Sequence, residues 1–356
     1  MKRLPFSLCG ALLIVLAGAP LTADKKKDQT QILEVPPDPP PAVVAETRRL
    51  VFHTSPLTAK GLLSQQTREA IRAILKDNGG NQIVKIRAFV SGTGDVRRVP
   101  QIVSETFAEK KHLQLPAVTV VQAGGLPLEG AQVVLESISV TKRDVNPLGL
   151  FYVSAQERSV PQPLQPLAPL AEQSLDAIGS KLNGRGEVLR LTCFVTILDD
   201  AARIAASMAA KFPGAALNLV ETQRASARSS VACEAVARAT VSVTPSEPGM
   251  ALVTADRIVL TGSQIAYGLR DDDARLAFRR LDRVLGSFGA SFKTAQVLES
   301  YPLSGSIAAQ IARLKPEFLD AARPAIGASI PWESLPGMDS AFALEAVAPA
   351  GNVINQ

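Results

Sequence analysis

Histidine is nearly absent. The 356 residues contain two, His53 and His112, which excludes a multi-histidine metal centre and argues against a Ser/His/Asp triad. No His-Glu-x-x-His and no Cys-x-x-Cys occurs, so the zinc-hydrolase readings fall away and neither a metal nor a cofactor is expected. Cysteine is scarce as well, with only Cys9, Cys193 and Cys233. Aromatic residues make up 4% of the chain, with one tryptophan, Trp332. Basic residues are not interleaved with aromatics as a single-strand nucleic-acid surface requires. A large charge of one sign is missing too: 38 Lys+Arg against 33 Asp+Glu leave +5, which does not demand a nucleic-acid partner. What remains is an ordinary globular composition, 46% hydrophobic and 20% charged, long enough for two or three domains with real cores.

The first residues read as an address. Met1-Lys2-Arg3 supplies a positive start, Leu8 to Gly18 a short uncharged apolar run, and small residues follow up to Asp24. This is the pattern of a secretory signal peptide over residues 1–23, too short for a comfortable membrane span. Cleavage after Ala23 is preferred to cleavage after Ala19, because Pro20 would follow the latter. Cys9 lies inside the apolar run without a lipidation context. Lys25-Lys26-Lys27 and the run Pro36-Pro37-Asp38-Pro39-Pro40-Pro41 then read as a stiff polar linker over 24–47. An exported protein, periplasmic or secreted, with no membrane attachment after cleavage, is the expectation.

Self-similarity organises the rest. Leu50 to Ser55, Leu150 to Gln156 and Ile258 to Gln264 are strand-like runs ending in turn residues. An amphipathic helix follows each, with faces built on Ala70, Ile71, Ile74 and Leu75; on Leu175, Ile178 and Leu182; and on Leu276, Phe278, Leu281 and Leu285. Strands are predicted over Ile83 to Val90, Val188 to Leu198 and Phe292 to Leu298, and second helices over Val99 to Lys110, Ala201 to Phe212 and Ile307 to Ala322. Two strands close each unit: Ala117 to Ala123 with Gln132 to Val140, Leu217 to Thr222 with Ser230 to Val241, and Ile326 to Trp332 with Ala341 to Val347. The three units occupy 48–145, 146–246 and 250–348, with a tail over 349–356. Their last strands carry one glutamate each amid apolar residues, Glu136, Glu234 and Glu345.

This order, with Leu126-Pro127 before Glu136, Leu335-Pro336 before Glu345, Gly289-Ala290-Ser291 and Ser154-Ala155-Gln156, resembles the YjgF/Rid family of imine/enamine deaminases, also labelled endoribonuclease L-PSP. The resemblance covers about residues 48 to 348 as three divergent copies. It implies an α+β fold of three chorismate-mutase-like β-α-β-α-β-β units. Because family members are homotrimers, it further implies an intramolecular pseudo-trimer around a central β-barrel, with pockets in the clefts and no need for a second chain. Linking the copies makes their association independent of concentration. In that fold Cys193 and Cys233 lie on neighbouring strands, so a disulfide is conceivable beside the reading of two buried thiols.

The family's chemistry needs an arginine that grips a substrate carboxylate, and a glutamate that positions water. Registering on Leu-Pro and on Glu234 places the arginine position at Val118, Asn218 and Gly327, the last becoming Ile326 with a one-residue slip. None is arginine. Glu136, Glu234 and Glu345 thus remain as candidate catalytic or ligand-binding residues without that partner, unless Arg224 or Arg228 swings in from a hairpin. Buried carboxylates need partners whatever their role, so a purely structural use of the three glutamates stands beside this one. Asp271-Asp272-Asp273 reads as a helix start complementing the dipole, and Arg279, Arg280 and Arg283 as a solvated face. Trp332 reads as core, or as a ligand wall. The expected function is small-molecule binding in the inter-repeat clefts, with imine deamination through a relocated grip, or a protein-interaction scaffold, as alternatives. The leader reading makes one direct prediction: intact-mass measurement of protein recovered from exporting cells finds a chain beginning at Asp24, whereas a chain retaining Met1 refutes it.

Overall fold

The computed structural model describes residues 35–92, 95–110, 112–242 and 247–351. The expected signal peptide and the part of the linker before Val35 lie outside the described residues, as does the end of the tail. Along the chain come β1 (Ala42–Glu46), β2 (Leu50–Thr54), α1 (Leu63–Asp77), β3 (Gln82–Ser91), α2 (Arg98–Ala108), β4 (Ala117–Ala123) and β5 (Val133–Val140). They are followed by β6 (Leu150–Val160), α3 (Ala168–Leu182), β7 (Gly186–Val195), α4 (Ala201–Lys211), β8 (Ala216–Glu221) and β9 (Ser229–Ala239). The remainder is β10 (Met250–Val253), β11 (Arg257–Thr261), β12 (Gln264–Tyr267), α5 (Asp271–Gly286), β13 (Val297–Pro302), α6 (Gly305–Leu314) and β14 (Ser340–Pro349). The class is mixed α+β, as expected. Among the described residues no helix is long and apolar enough to cross a membrane.

Three sheets result. The first runs β2-β5-β3-β4 and the second β10-β6-β9-β7-β8, with β3/β4 and β7/β8 parallel and the other pairs antiparallel. In the third, β14 is flanked on one side by β11 and β12 in succession and on the other by β13, and β1 pairs with β11. Each sheet buries one face under its two helices. Ile71, Ile74, Val99 and Phe107 pack on the first, Leu175, Ile178, Ile204 and Met208 on the second, and Phe278, Leu281, Ile307 and Ile311 on the third. Helix starts are fixed locally: Asp200 Oδ2 accepts from the N–H groups of Leu167 and Ala168 at the head of α3, and Ser304 Oγ accepts from Ile307 N at the head of α6.

The opposite faces of the sheets meet one another. One apolar cluster joins Leu50, Phe52 and Ile138 to Leu150, Val236, Ile258 and Leu260. A second joins Phe89 and Val134 to Phe194, Ala232, Tyr301 and Trp332. Between these layers lie the polar residues described below. Matching bulges in β3 (between Ile83 and Lys85) and β7 (between Val188 and Arg190) turn a cation inward at the same point of both strands.

Several sequence expectations change here. Residues 42–46, assigned to the linker, form β1, because Ala42 and Ala45 find a buried edge on β11. Residues 250–253, assigned to the third unit, add β10 to the second sheet. Strand β13 begins at Val297 rather than Phe292, since Ser291 and Thr294 close a turn and Phe292 N donates to Asp282 instead. Residues 326–332 form no strand but run beside β13, with bridges at Val297–Ile326 and Ser300–Ser329 and Trp332 N donating to Pro302 O. Leu276 is exposed, and Arg280 is partly buried, donating to Ile265 O.

Cys193 and Cys233 stand directly opposite on β7 and β9, with Cα atoms 4.1 Å apart, and are disulfide-bonded in the core under α3 and α4. The cross-link spans 40 residues, a loop whose closure restrains the unfolded chain by about 4 kcal/mol in the chain-entropy account. Replacing both cysteines with alanine is therefore expected to lower the unfolding free energy extrapolated from urea titrations by about 4 kcal/mol, and an unchanged value would show the bond to be without weight.

Candidate functional site: a buried ion cluster between three sheets

Alternation along β3 places Lys85, Arg87 and Phe89 on the face turned away from the helices, while Ile86, Ala88 and Val90 pack beneath them. Arg87 is 4% exposed and is the hub. Its Nε and Nη2 donate to Glu136 Oε2 at 2.9 and 2.6 Å, and Nη2 also donates to Glu234 Oε1 at 2.5 Å. The guanidinium lies over the Phe89 ring at 5.1 Å and the Phe194 ring at 5.8 Å. Arg190 on β7 adds a second cation, 3.6 Å from Glu136 Oε2 and 3.5 Å from Glu234 Oε1. The other oxygen of Glu136 accepts from Thr192 Oγ1 (2.6 Å) and Asn218 Nδ2 (2.7 Å).

Glu345 has its own cation. Lys85 Nζ donates to Glu345 Oε2 (2.5 Å), to Thr119 Oγ1 (2.7 Å) and to Thr261 O (2.5 Å). Thr119 Oγ1 donates to the same carboxylate oxygen, and Tyr301 Oη to the other at 2.5 Å. Thus Glu136 of the first sheet is held by donors of the second, and Glu345 of the third by donors of the first.

Glu234 meets different company. The residue facing it from the third sheet is Glu299, set opposite Glu345 in the register just as Arg87 is set opposite Glu136 and Thr192 opposite Glu234. Glu299 Oε2 accepts from Ala328 N at 2.6 Å. Glu234 Oε2 is buried with no partner among the described residues.

Burial opposes every charge here, and the partners decide which survive. Burial pushes against the Arg87 cation, yet Glu136 and Glu234 hold its pKa well above the ordinary value. Burial likewise opposes ionised Glu136, but Arg87 and Arg190, with Thr192 and Asn218, keep it below the usual carboxylate range. For Glu345, burial is outweighed by Lys85 and Arg87, bringing it to about 2. Burial lowers Lys85, against the pull of Glu345. Burial and the neighbouring Glu234 raise Glu299 to about 8, against Ala328 N–H and Arg87. Near neutral pH Glu299 therefore keeps its proton.

A cavity of about 50 Å³ remains, bounded by Lys85, Arg87, Tyr152, Arg190, Glu299 and Glu345. At roughly 10–15 Å³ per water it admits a few water-sized groups and no metabolite. Tyr152 Oη and Arg190 Nε at its wall have no partner among the described residues, and burial raises Tyr152 to about 12. Trp332, 1% exposed, stacks on Phe89 at 5.3 Å and meets Phe194 edge-on at 5.4 Å, so it is core and no ligand wall.

The three sequence-picked glutamates are therefore brought together, and beside them stand three cations away from the positions matched to the family arginine, Lys85, Arg87 and Arg190. Of the three positions matched to the missing arginine, Asn218 faces the cluster. Val118 packs under the helices instead, and its neighbour Thr119 faces inward, because one residue of slip along a strand reverses the face. Gly327 admits no side chain, since a Cβ there would sit 2.0 Å from Leu298 O. Arg224 Nε donates to Gly124 O and Arg228 pairs with Glu157 at 2.7 Å, so neither enters the cluster. The missed cations had a signal: Lys85 and Arg87 sit two apart in the apolar run Ile83 to Val90.

No family model and no curated protein matches the chain. Among solved structures, it is similar to a YjgF-family protein from Neisseria meningitidis at 10% identity, over 29% of this chain and 85% of that one, with a TM-score of 0.25. RidA from an Antarctic Psychrobacter aligns at 17% identity over 26% and 80%, TM-score 0.24. A chorismatase aligns at 9% identity over 85% and 99%, TM-score 0.27. At this level of overlap none assigns a family or an activity to the chain.

The raised pKa of Glu299 fixes the sign of a pH effect. Between its ordinary value, about 4.3, and about 8, the folded protein binds more protons than the unfolded chain. Stability therefore falls as pH rises across that window. Glu299→Gln is expected to flatten this decline in urea midpoints taken at pH 5, 6.5 and 8; a decline as steep as wild type would exclude Glu299 as its source.

Proposed function

We propose that the chain is an exported, three-copy Rid-like protein, an intramolecular pseudo-trimer with its sheets around a central barrel, which binds small molecules in the crevices between copies and does not hydrolyse imines at its three glutamates. The observation that carries this reading is the commitment of Glu136 and Glu345 to donors of an adjacent sheet, and of Glu234 to Arg87, around a cavity of only about 50 Å³. A deaminase would need a cation free for a substrate carboxylate, and Lys85, Arg87 and Arg190 already serve protein carboxylates. Breaking such a pair costs about 3–5 kcal/mol, so a substrate would have to repay that before any chemistry began.

The three-copy arrangement, with units at 48–145, 146–246 and 250–348, draws support from the strand orders and from a cyclic pattern of edges. The segment leading into the third unit adds β10 to the second sheet, and the one leading into the first adds β1 to the third. The segment leading into the second unit bonds to the first through Thr141 N to Arg49 O and Asn146 N to Arg48 O. Export draws support from the disulfide, which persists in oxidising compartments. The scaffold reading is favoured at the centre by the apolar layer of Phe89, Phe194 and Trp332. Binding is favoured outside it by a crevice of about 740 Å³ between the second and third sheets.

The test is hydrolysis of 2-iminopropionate by the mature protein beside an active family member. Rates at the uncatalysed background are expected. Acceleration that disappears when Glu136, Glu234 and Glu345 are changed to glutamine would overturn the proposal.

A further inference from the structure

The crevice between the second and third sheets is walled on one side by β10 and on the other by the turn before β13 and residues 322–327. Three cations line it, Lys293, Lys315 and Arg323, against one carboxylate, Glu247, which is already paired with Arg185 at 2.8 Å. Lys293 Nζ donates to a single carbonyl, Leu319 O, at 3.1 Å. The ammonium of Lys315, which is partly buried on the turn after α6, makes no hydrogen bond or ion pair among the described residues. Burial lowers its pKa, with Glu299 the one charge pulling back. The floor is apolar, built from buried Met250, Leu252, Ala295 and Ala325. Gln296 reaches across to Leu252 O with Nε2 at 3.1 Å, while its buried Oε1 has no partner among the described residues.

Unmatched cations above an apolar floor, with one orphaned acceptor, define a ligand by its chemistry. We infer that this crevice binds an organic acid with an apolar body, its anionic group held by Lys315 and Lys293 and a donor group of its own meeting Gln296 Oε1. A partly desolvated ammonium without a counter-charge gains a charge-assisted contact when such an anion arrives. The apolar floor contributes area that a bare inorganic ion could not use. The inference rests on the reading that small molecules bind between copies, and it names the crevice and the ligand class.

The full mature chain is titrated with 8-anilinonaphthalene-1-sulfonate and, in parallel, with uncharged N-phenyl-1-naphthylamine, which shares the apolar body. Saturable one-to-one binding of the sulfonate is expected, tighter than the neutral probe by about tenfold or more. Lys315→Met should erase that preference while leaving the neutral probe and the urea midpoint unchanged. Lys293→Met should act in the same direction. Equal affinity for both probes, or a preference that survives in Lys315→Met, overturns the site. If sulfonate binding persists there but is lost in Arg224→Ala, which alters the separate groove beside Leu126 and Leu128, this crevice is wrong and binding between copies stands. No saturable binding of either probe overturns both.

Discussion

Everything at the centre depends on one guanidinium held by two carboxylates from different sheets. Arg87 takes Glu136 from its own sheet and Glu234 from the second within hydrogen-bond distance, and Arg190 lies behind both. In a dry interior such an arrangement yields little net stability compared with apolar packing, but it is intolerant of misplacement. Sliding one sheet against another by a single residue would leave a carboxylate buried and unpaired. The apolar layers above and below supply most of the favourable free energy and would accept several alignments; the ionic layer accepts one.

The three junctions are unequal, and the inequality follows from single residues. Where the second sheet offers Thr192 and Asn218 to Glu136, and the first offers Lys85 and Thr119 to Glu345, the third sets against Glu234 another carboxyl, Glu299, which Ala328 N–H holds. A carboxyl in place of a donor can be accommodated there only with its proton on. The same junction opens outward into the largest crevice described, with Lys315 beside Glu299. Two junctions are closed by complementary donors, and the third is where complementarity was relaxed.

Much of this was legible in the sequence. Strand–helix alternation, the helix faces and the three glutamates follow from periodicity and self-similarity, because buried faces enforce them. The partners of the glutamates were not legible, for a physical reason. Lys85 and Arg190 point inward because a bulge inserts Val84 and Leu189, and pattern reading assumes unbroken alternation. Counting back from Leu-Pro placed the arginine position on Val118, which packs under the helices one residue before the inward-facing Thr119. In the third unit the turn at Ser291 to Thr294 consumed a stretch whose Phe292 reads as strand, and residues 326–332 approach β13 without forming one. Strand β1 escaped notice because its partner lies more than two hundred residues away, as Ala42 opposite Thr261 shows.

That last pairing bears on time as well as space. The third sheet borrows its edge from the beginning of the chain, and Lys85 waits for Glu345, 260 residues later, before its charge is answered. A polypeptide threaded amino end first presents β1, Lys85 and Arg87 long before β11 and β14 arrive. The ionic layer therefore cannot close until nearly the whole chain has been delivered, and such distant closures are slow. Until then the inward faces of the first two sheets stand uncovered, and whatever shields them in that interval must let go before the last strand can dock.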